Sequence, residues 1–212
     1  MTGLWGVGAY HDGTAVVSWP ISRDEMDRDL AAGSRVVAEL GIGAGQRVLH
    51  CSMLSEAGQF WPLVVGTMLT GAQLSCADAT SGEAARVAMF LRLLHYDAVV
   101  GVSAELLDGL EGLDLDPAAV FADVRVLAAR PAAAARLRAG GLPTHDLVLC
   151  GPAVAIARAP DAAARVDADE WELGADGEVV VVTSLRPRAR RFDRHPTAAR
   201  GAVHDGALVP SS

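Results

Sequence analysis

The sequence predicts an α/β protein with a largely parallel sheet, helices on both faces of that sheet, and a small antiparallel β portion after it. Apolar strand-like segments alternate with helical segments between residues 22 and 150, an order that favours parallel pairing. After Cys150 the strand-like segments are joined by polar turns, which is typical of antiparallel strands. Hydrophobic residues make up 51% of the 212 residues, enough to build a buried core.

The first helix is predicted over residues 23–40, after an irregular segment at 1–21. Ser22 and Glu25 have the spacing of a capping box, in which each side chain binds the other residue's backbone amide. The apolar positions of this helix recur at helical spacing. Glycines 41, 43 and 45 follow a helix and precede a strand, so they predict a helix cap and not a phosphate-binding loop.

The remaining elements follow from the same patterns. Strands are predicted at 47–52, 72–76, 98–102, 124–128 and 146–150, and helices at 55–70, 82–95, 105–110 and 131–139. Further strands are predicted at 153–157, 170–173 and 178–184. The predicted organisation is an irregular segment (1–21), an α/β body (22–150), an antiparallel β portion (151–203) and a flexible tail (204–212).

Charge and composition exclude several classes of function. The chain has 26 acidic and 18 basic residues and a net charge of −8, which argues against nucleic-acid binding. All 18 basic residues are arginine, so chemistry that needs a lysine of this chain is excluded. No leader pattern is evident, and the most apolar stretch, residues 60–69, is too short to span a bilayer. We expect a cytoplasmic protein with no membrane partner.

The cysteines and histidines give little evidence of a site. Cys51, Cys76 and Cys150 lie far apart, so neither a disulfide framework nor a zinc site is predicted. His50 and Cys51 are adjacent in a strand, where neighbouring side chains point to opposite faces, so a packed interior pair is favoured over a catalytic pair. No metal or cofactor is expected.

A basic run near the C-terminal end can be interpreted in two ways. It consists of Arg186, Arg188, Arg190, Arg191, Arg194 and Arg200. Guanidinium groups suit a phosphate or carboxylate ligand. The favoured alternative is a solvated edge that neutralises the acidic residues between 167 and 178.

Seven short segments carry a resemblance to a known family. They are Glu39-Leu-Gly-Ile-Gly-Ala-Gly-Gln-Arg-Val48, Met68-Leu-Thr-Gly-Ala72, Val102-Ser-Ala-Glu-Leu-Leu107, Gly151-Pro-Ala-Val-Ala-Ile156, Asp167-Ala-Asp-Glu-Trp171, Gly177-Glu-Val-Val-Val-Val-Thr-Ser-Leu185 and Arg194-His-Pro-Thr197. In this order they resemble phenylacetate–CoA ligase-like enzymes of the adenylate-forming (AMP-binding) superfamily. The resemblance implies the fold of that superfamily's N-terminal domain.

The sequence departs from that family at the positions of its ATP chemistry. Gly8-Ala-Tyr-His-Asp-Gly-Thr14 replaces the phosphate loop, and Asp146-Leu-Val-Leu-Cys-Gly151 replaces the motif that supports adenine and the metal. The ribose-binding Asp falls on Ala199. The zinc ligands of some members fall on Arg158 and Arg165, and no lid domain follows. The resemblance therefore implies a truncated, degenerate member that has lost adenylation.

We expect a binding or accessory protein that is not an adenylating enzyme, has no catalytic residue and works as a homodimer or with a partner protein. A small acyl or aromatic ligand is a further possibility. Candidate ligand-binding residues are Arg191, Arg194, His195, Thr197, Phe60 and Trp61, with ordinary core packing as the alternative for the last two. Two other hypotheses remain: an enzyme acting on a phosphorylated or CoA-bearing substrate through Arg194 and His195, and an unrelated flavodoxin-like α/β domain.

Overall fold

The computed structural model describes residues 3–12 and 15–211. An antiparallel hairpin, β1 (Leu4–His11) and β2 (Val16–Ser22), opens this part of the chain where the sequence predicts an irregular segment. The glycines of β1 conceal the alternation of apolar and polar side chains that would identify a strand. One of them, Gly8, lies directly against the ring of Trp19. A Cβ on Gly8 would lie 2.3 Å from the ring of Trp19, so only glycine fits there.

The first helix, α1 (Arg23–Glu39), begins and ends as its sequence predicts. The Ser22 hydroxyl accepts a hydrogen bond from the Glu25 amide at 3.3 Å, and the Glu25 carboxylate accepts one from the Ser22 amide at 2.7 Å. At the other end Gly41 adopts a φ of +72°. The amide of Ile42 donates to the carbonyl of Val37, so Gly41 closes the helix and binds no phosphate.

The other elements of the body follow the predicted order with shifts of at most two residues at their ends, and a short helix at Pro117–Val120 was not predicted. The strands are β3 (Arg47–Cys51), β4 (Gln73–Ala77), β5 (Ala98–Val102), β6 (Val126–Ala129) and β7 (His145–Cys150). The helices are α2 (Ala57–Leu69), α3 (Ala84–Leu94), α4 (Ala104–Glu111), α5 (Pro117–Val120) and α6 (Pro131–Ala139). The five strands pair in parallel in the order β4-β3-β5-β6-β7.

The later strands extend the same sheet. They are β8 (Ala153–Ala157), β9 (Ala164–Arg165), β10 (Trp171–Asp176), β11 (Val179–Ser184), β12 (His195–His204) and β13 (Ala207–Pro210). All their pairings are antiparallel, and the order β10-β11-β12-β13-β9-β8 continues onto β7.

The sheet is therefore mixed, and "largely parallel" holds only for its first five strands. The antiparallel portion is larger than predicted, since it also contains β12 and β13. These two strands were not predicted because their residues include few bulky apolar side chains. The predicted flexible tail, 204–212, contains β13, which pairs with both β12 and β9. A flavodoxin-like domain would be favoured if no antiparallel strands followed residue 150. The structure has such strands, so it does not favour that alternative.

Helices cover both faces of the parallel part. One buried cluster joins side chains of α3, α4 and α6 to the sheet, and another joins those of α1 and α2 to its opposite face. A third cluster packs the hairpin against the antiparallel strands. Helices α1 and α2 cross at Gly33 and Gly66, where a Cβ on Gly33 would lie 2.1 Å from the carbonyl oxygen of Pro62.

Replacement of Gly33 by alanine is expected to lower the free energy of unfolding by about 1–3 kcal/mol, because the added methyl group forces the two helices apart. Urea titration followed by circular dichroism measures the change. Gly43→Ala is the matched control, since a Cβ there meets no atom within 4 Å. Equal destabilisation by both substitutions would contradict the close crossing.

Candidate functional site

Three segments that are distant in the sequence meet at one place: strand β1 of the hairpin, the turn after β7 and the start of β12. Gln59 of α2 joins two of them, since its amide nitrogen donates to the carbonyl oxygens of Ala9 at 3.2 Å and Gly151 at 3.1 Å. A Cβ on Gly151 would lie 3.2 Å from the ring of Tyr10 and 3.1 Å from the methyl group of Thr197. The Tyr10 ring therefore fills the space above Gly151.

His195 lies inside an aromatic enclosure that these segments form. Its ring centroid is 6.2 Å from that of Tyr10 and 5.6 Å from that of Phe192, with both rings edge-on to it. Trp19 packs against Tyr10 and Phe192 on the other side. Of the predicted site residues, His195 alone reaches this enclosure.

Two buried polar atoms in the enclosure, the Tyr10 hydroxyl and His195 Nε2, have no hydrogen-bond partner among residues 3–12 and 15–211. Burial raises the pKa of Tyr10 to about 12, against the opposing effect of the Arg190 guanidinium. Burial lowers the pKa of His195, and Arg190 acts in the same direction. Both side chains are therefore uncharged at neutral pH, which suits hydrogen bonding to a neutral group better than phosphate binding.

The other residues of the predicted set at 191–197 do not converge on His195. The Thr197 hydroxyl is buried and donates to the carbonyl of Val180 at 2.9 Å. The Arg194 guanidinium reaches the Ala175 carbonyl on β10 at 3.4 Å. The Arg191 side chain is 84% exposed and lies 3.9 Å from Asp193.

The predicted aromatic pair of α2 is divided between core and surface. Phe60 is 1% exposed and belongs to the core between α2 and the sheet. Trp61 is 41% exposed and lies beside Trp5, with 6.3 Å between ring centroids. The structure does not bring the two side chains to one surface, so core packing, the alternative interpretation, describes Phe60.

His50 and Cys51 form the packed interior pair that strand geometry predicts. Cys51 is buried against α3 and α4, whereas His50 Nε2 lies 2.9 Å from the Thr67 hydroxyl of α2. The Thr67 hydroxyl donates to the Leu63 carbonyl, so it accepts from His50. Complete burial lowers the pKa of His50 to about 4.

The basic run is neither one anion site nor wholly a solvated edge. The Arg188 side chain is 2% exposed and binds Asp29 at 2.6 and 3.0 Å and Glu170 at 2.8 Å. Its guanidinium also lies 4.0 Å from the centroid of the Trp171 ring. Arg188 therefore ties α1 to the antiparallel strands and has a structural role.

Sequence reasoning gave no site role to Tyr10 or Gln59, whereas Arg190 belongs to the basic run that it identified. Trp5, Tyr10 and Trp19 are three large aromatic residues in a segment otherwise rich in small residues, and this pattern could have indicated a hairpin that buries some of them. The predicted phosphate-loop replacement, Gly8–Thr14, is only partly visible, because residues 13 and 14 lie outside the described residues.

The described residues offer neither a metal site nor a membrane-spanning helix. No group of three or more His, Cys, Asp or Glu side chains in that part of the chain is placed to hold a metal ion. None of its helices has both the length and the hydropathy needed to cross a membrane.

No protein-family model and no curated protein matches the sequence. The fold, however, matches solved structures. 2-Hydroxyisobutyryl-CoA ligase, in complex with 2-HIB-AMP and CoA, superimposes with a TM-score of 0.67 at 15% identity, over 92% of this chain and 51% of that chain. The amide bond synthetase McbA from Marinactinospora thermotolerans gives 0.62 at 15% identity, over 97% and 48%. MenE from E. coli gives 0.59 at 11% identity, over 99% and 48%.

The chain spans about half the length of these solved structures. Its similarity to them extends through both the parallel and the antiparallel strands, since more than nine-tenths of the chain is covered. The chain therefore has the fold of the adenylate-forming acyl-CoA ligases over about half of their length.

Proposed function

We propose that this chain is a degenerate relative of phenylacetate–CoA ligase-like enzymes that binds a partner and does not adenylate a substrate. One observation carries the proposal: the Tyr10 ring lies against Gly151, where the resemblance places the nucleotide. Three segments that the resemblance assigns to ATP do meet, but aromatic side chains fill the space between them.

The side chains around Gly151 support the same conclusion. The Thr197 hydroxyl is already bonded to Val180, and Ala199 replaces the carboxylate expected to hold a ribose. Asp146, the one acidic residue of the replaced adenine motif, is held by Arg138 at 3.1 and 3.2 Å. Adenylation needs preorganised charge at the reacting phosphate, and uncharged His195 and Tyr10 do not supply it.

The partner we propose is a second copy of this chain, bound through the hairpin. The hairpin, the short turn at 54–56 and the adjoining part of α2 expose a group of large apolar side chains, which we call the hairpin surface: Leu4, Trp5, Val7, Val16, Leu54 and Trp61. β1 and β2 form a separate two-stranded sheet with no third strand, and side chains of Gln59 and Arg190 donate to the carbonyls of Ala9 and Ser18. A two-fold axis can bring the hairpin surfaces of two copies together, which covers their apolar side chains.

A second candidate function is favoured by His195 itself. Its buried Nε2 has no hydrogen-bond partner in the described part of the chain, and the positive charge of Arg190 lowers the pKa of the His195 ring. An enzyme acting on a CoA-bearing or phosphorylated substrate is then the alternative, with His195 accepting a proton; Arg194 would have to leave the Ala175 carbonyl to contact the same substrate.

Native mass spectrometry of the purified protein, with and without ATP, AMP, CoA and phenylacetyl-CoA, tests these proposals together. We expect a dimer that retains no nucleotide, and no acyl-adenylate after incubation with ATP and phenylacetate. Val7→Glu should convert the dimer to a monomer, because two buried carboxylates would face each other across the interface. Leu185→Glu, an exposed apolar position outside the hairpin surface, should leave the dimer intact.

A different experimental result would contradict each part of the proposal. Acyl-adenylate above that of heat-inactivated protein would overturn the non-catalytic role. A wild-type monomer would overturn the second copy as partner. A retained CoA adduct that disappears in Arg194→Ala, with an unchanged circular dichroism spectrum, would establish the second candidate instead.

A further inference from the structure

A cavity lies away from the hairpin and His195. It has a volume of about 840 Å³ and lies between α3 and α5, at the ends of β5 and β6 where those strands begin. We call it the α3–α5 cavity. The turn after β7 lies at the C-terminal ends of the parallel strands, whereas the cavity lies at their N-terminal ends. The cavity is therefore separate from the candidate site. Its volume is in the range of small-molecule sites.

The wall of the cavity is largely apolar. Met89 of α3 and Leu113 and Leu115 of the loop after α4 line it, and they are 41%, 49% and 36% exposed. Ala85 and Ala88 on α3 are small, which gives the cavity its depth between these larger side chains. An apolar group placed here would remove several exposed apolar side chains from water at once.

One polar side chain in the wall lacks a partner. Tyr96 lines the cavity and is only 4% exposed, and its hydroxyl has no hydrogen-bond partner among the described residues. Its ring packs near Phe90, with 6.5 Å between centroids, so the side chain is held in place. A buried hydroxyl without a partner is costly, and a ligand with a hydrogen-bonding group would remove that cost.

The charges around the cavity favour a cation. Four carboxylates and two guanidinium groups line it: Asp97, Asp114, Asp116, Asp123, Arg92 and Arg125. Arg125 donates to the Gly41 carbonyl at 3.0 Å, and Asp97 and Asp116 accept hydrogen bonds from the backbone amides of Arg47 and Ala118 at 2.8 and 2.9 Å, so these three side chains are already hydrogen-bonded. Asp114 and Asp123 make no ion pair or side-chain hydrogen bond within the part of the chain described. The last turn of α3 ends at the cavity, and a helix C-terminus adds negative potential.

We propose that the α3–α5 cavity binds an organic amine with an apolar or aromatic body. The apolar body lies between α3 and the loop after α4, the ammonium group lies near Asp114 and Asp123, and Tyr96 supplies a hydrogen bond. This site is independent of the proposed dimer and of the residues around His195.

Isothermal titration calorimetry with three matched probes tests the proposal: 4-phenylbutylamine, 4-phenylbutan-1-ol and 4-phenylbutanoate. We expect the amine to bind at least about tenfold more tightly than the carboxylate, with the alcohol between them. Tyr96→Phe should weaken amine binding about threefold to tenfold, since one hydrogen bond is lost. Asp114→Asn combined with Asp123→Asn should abolish the preference for the amine over the alcohol.

Ala85→Trp places a bulky side chain in the cavity and should abolish binding. Ala139→Trp, at an exposed position on α6 outside the cavity, is the matched control and should bind as the wild type does. Thermal unfolding shows that each variant is folded. The proposal is overturned if no probe binds up to about 10 mM, if the carboxylate binds most tightly, or if Ala85→Trp binds the amine as the wild type does.

Discussion

Replacement of Arg188 by methionine is expected to lower the free energy of unfolding by about 3–5 kcal/mol. The side chain is 2% exposed, and its two ion-pair partners, Asp29 and Glu170, are 17% and 5% exposed. Methionine keeps much of the apolar length but leaves both carboxylates without this cation in a poorly solvated place. The loss of the contact with the Trp171 ring adds to the effect.

Urea unfolding measures this change. Arg191→Met is the control, because it makes the same substitution three residues away on a side chain that is 84% exposed, and it should change stability by less than about 0.5 kcal/mol. Adding Asp29→Asn to Arg188→Met should restore part of the lost stability, since the unpaired charge of Asp29 is then removed, whereas Glu170 keeps its ion pair with Arg28 at 2.7 Å. Equal effects of Arg188→Met and Arg191→Met would refute the buried ion-pair network.

Acidification from pH 7 to pH 4 is expected to cost about 3 kcal/mol of stability through His50 alone. Burial lowers its folded-state pKa to about 4, against 6.5 for the ordinary side chain. The unfolded chain therefore binds a proton between these pH values when the folded chain does not. The contribution is complete above pH 6.5 and is lost as pH falls towards 4.

The measurement compares the pH dependence of unfolding free energy in the wild type and in His50→Gln. Glutamine does not titrate and can still donate to the Thr67 hydroxyl, so the variant should show a smaller loss between pH 7 and pH 4. His204→Gln, at an exposed position on β12, should keep the wild-type profile. If His50→Gln loses as much stability on acidification as the wild type, His50 is not the source of the effect.

Local patterns were sufficient for most of the fold between residues 22 and 184. Ser22 and Glu25 predicted the start of α1, and the glycine at 41 predicted its end, because both depend on neighbours in the sequence. The five parallel strands are short and apolar, and each follows a helix. Their positions along the chain therefore followed from composition and spacing, whereas their order in the sheet was not predicted.

The candidate site was largely beyond prediction, because distant contacts create it. Tyr10 becomes buried only when Phe192 and His195 pack against it. These residues are far from Tyr10 in the sequence, and no local pattern predicts a contact between such distant positions. The hairpin was missed because Gly8 replaces an apolar side chain where Trp19 needs the room. Arg188 was assigned to an exposed charged run, although its partners, Asp29 and Glu170, enclose it completely.

The separation between Arg188 and Asp29, 159 positions along the chain, has a consequence for biosynthesis. The hairpin and the first helix leave the ribosome long before the segment at 188–195 that completes their packing. Until then Tyr10, Trp19 and the carboxylate of Asp29 lie open to solvent and to other nascent chains. Packing of the amino-terminal region must therefore wait until residues 188–195 have been synthesised, and during this interval its apolar side chains are exposed to aggregation and to chaperones.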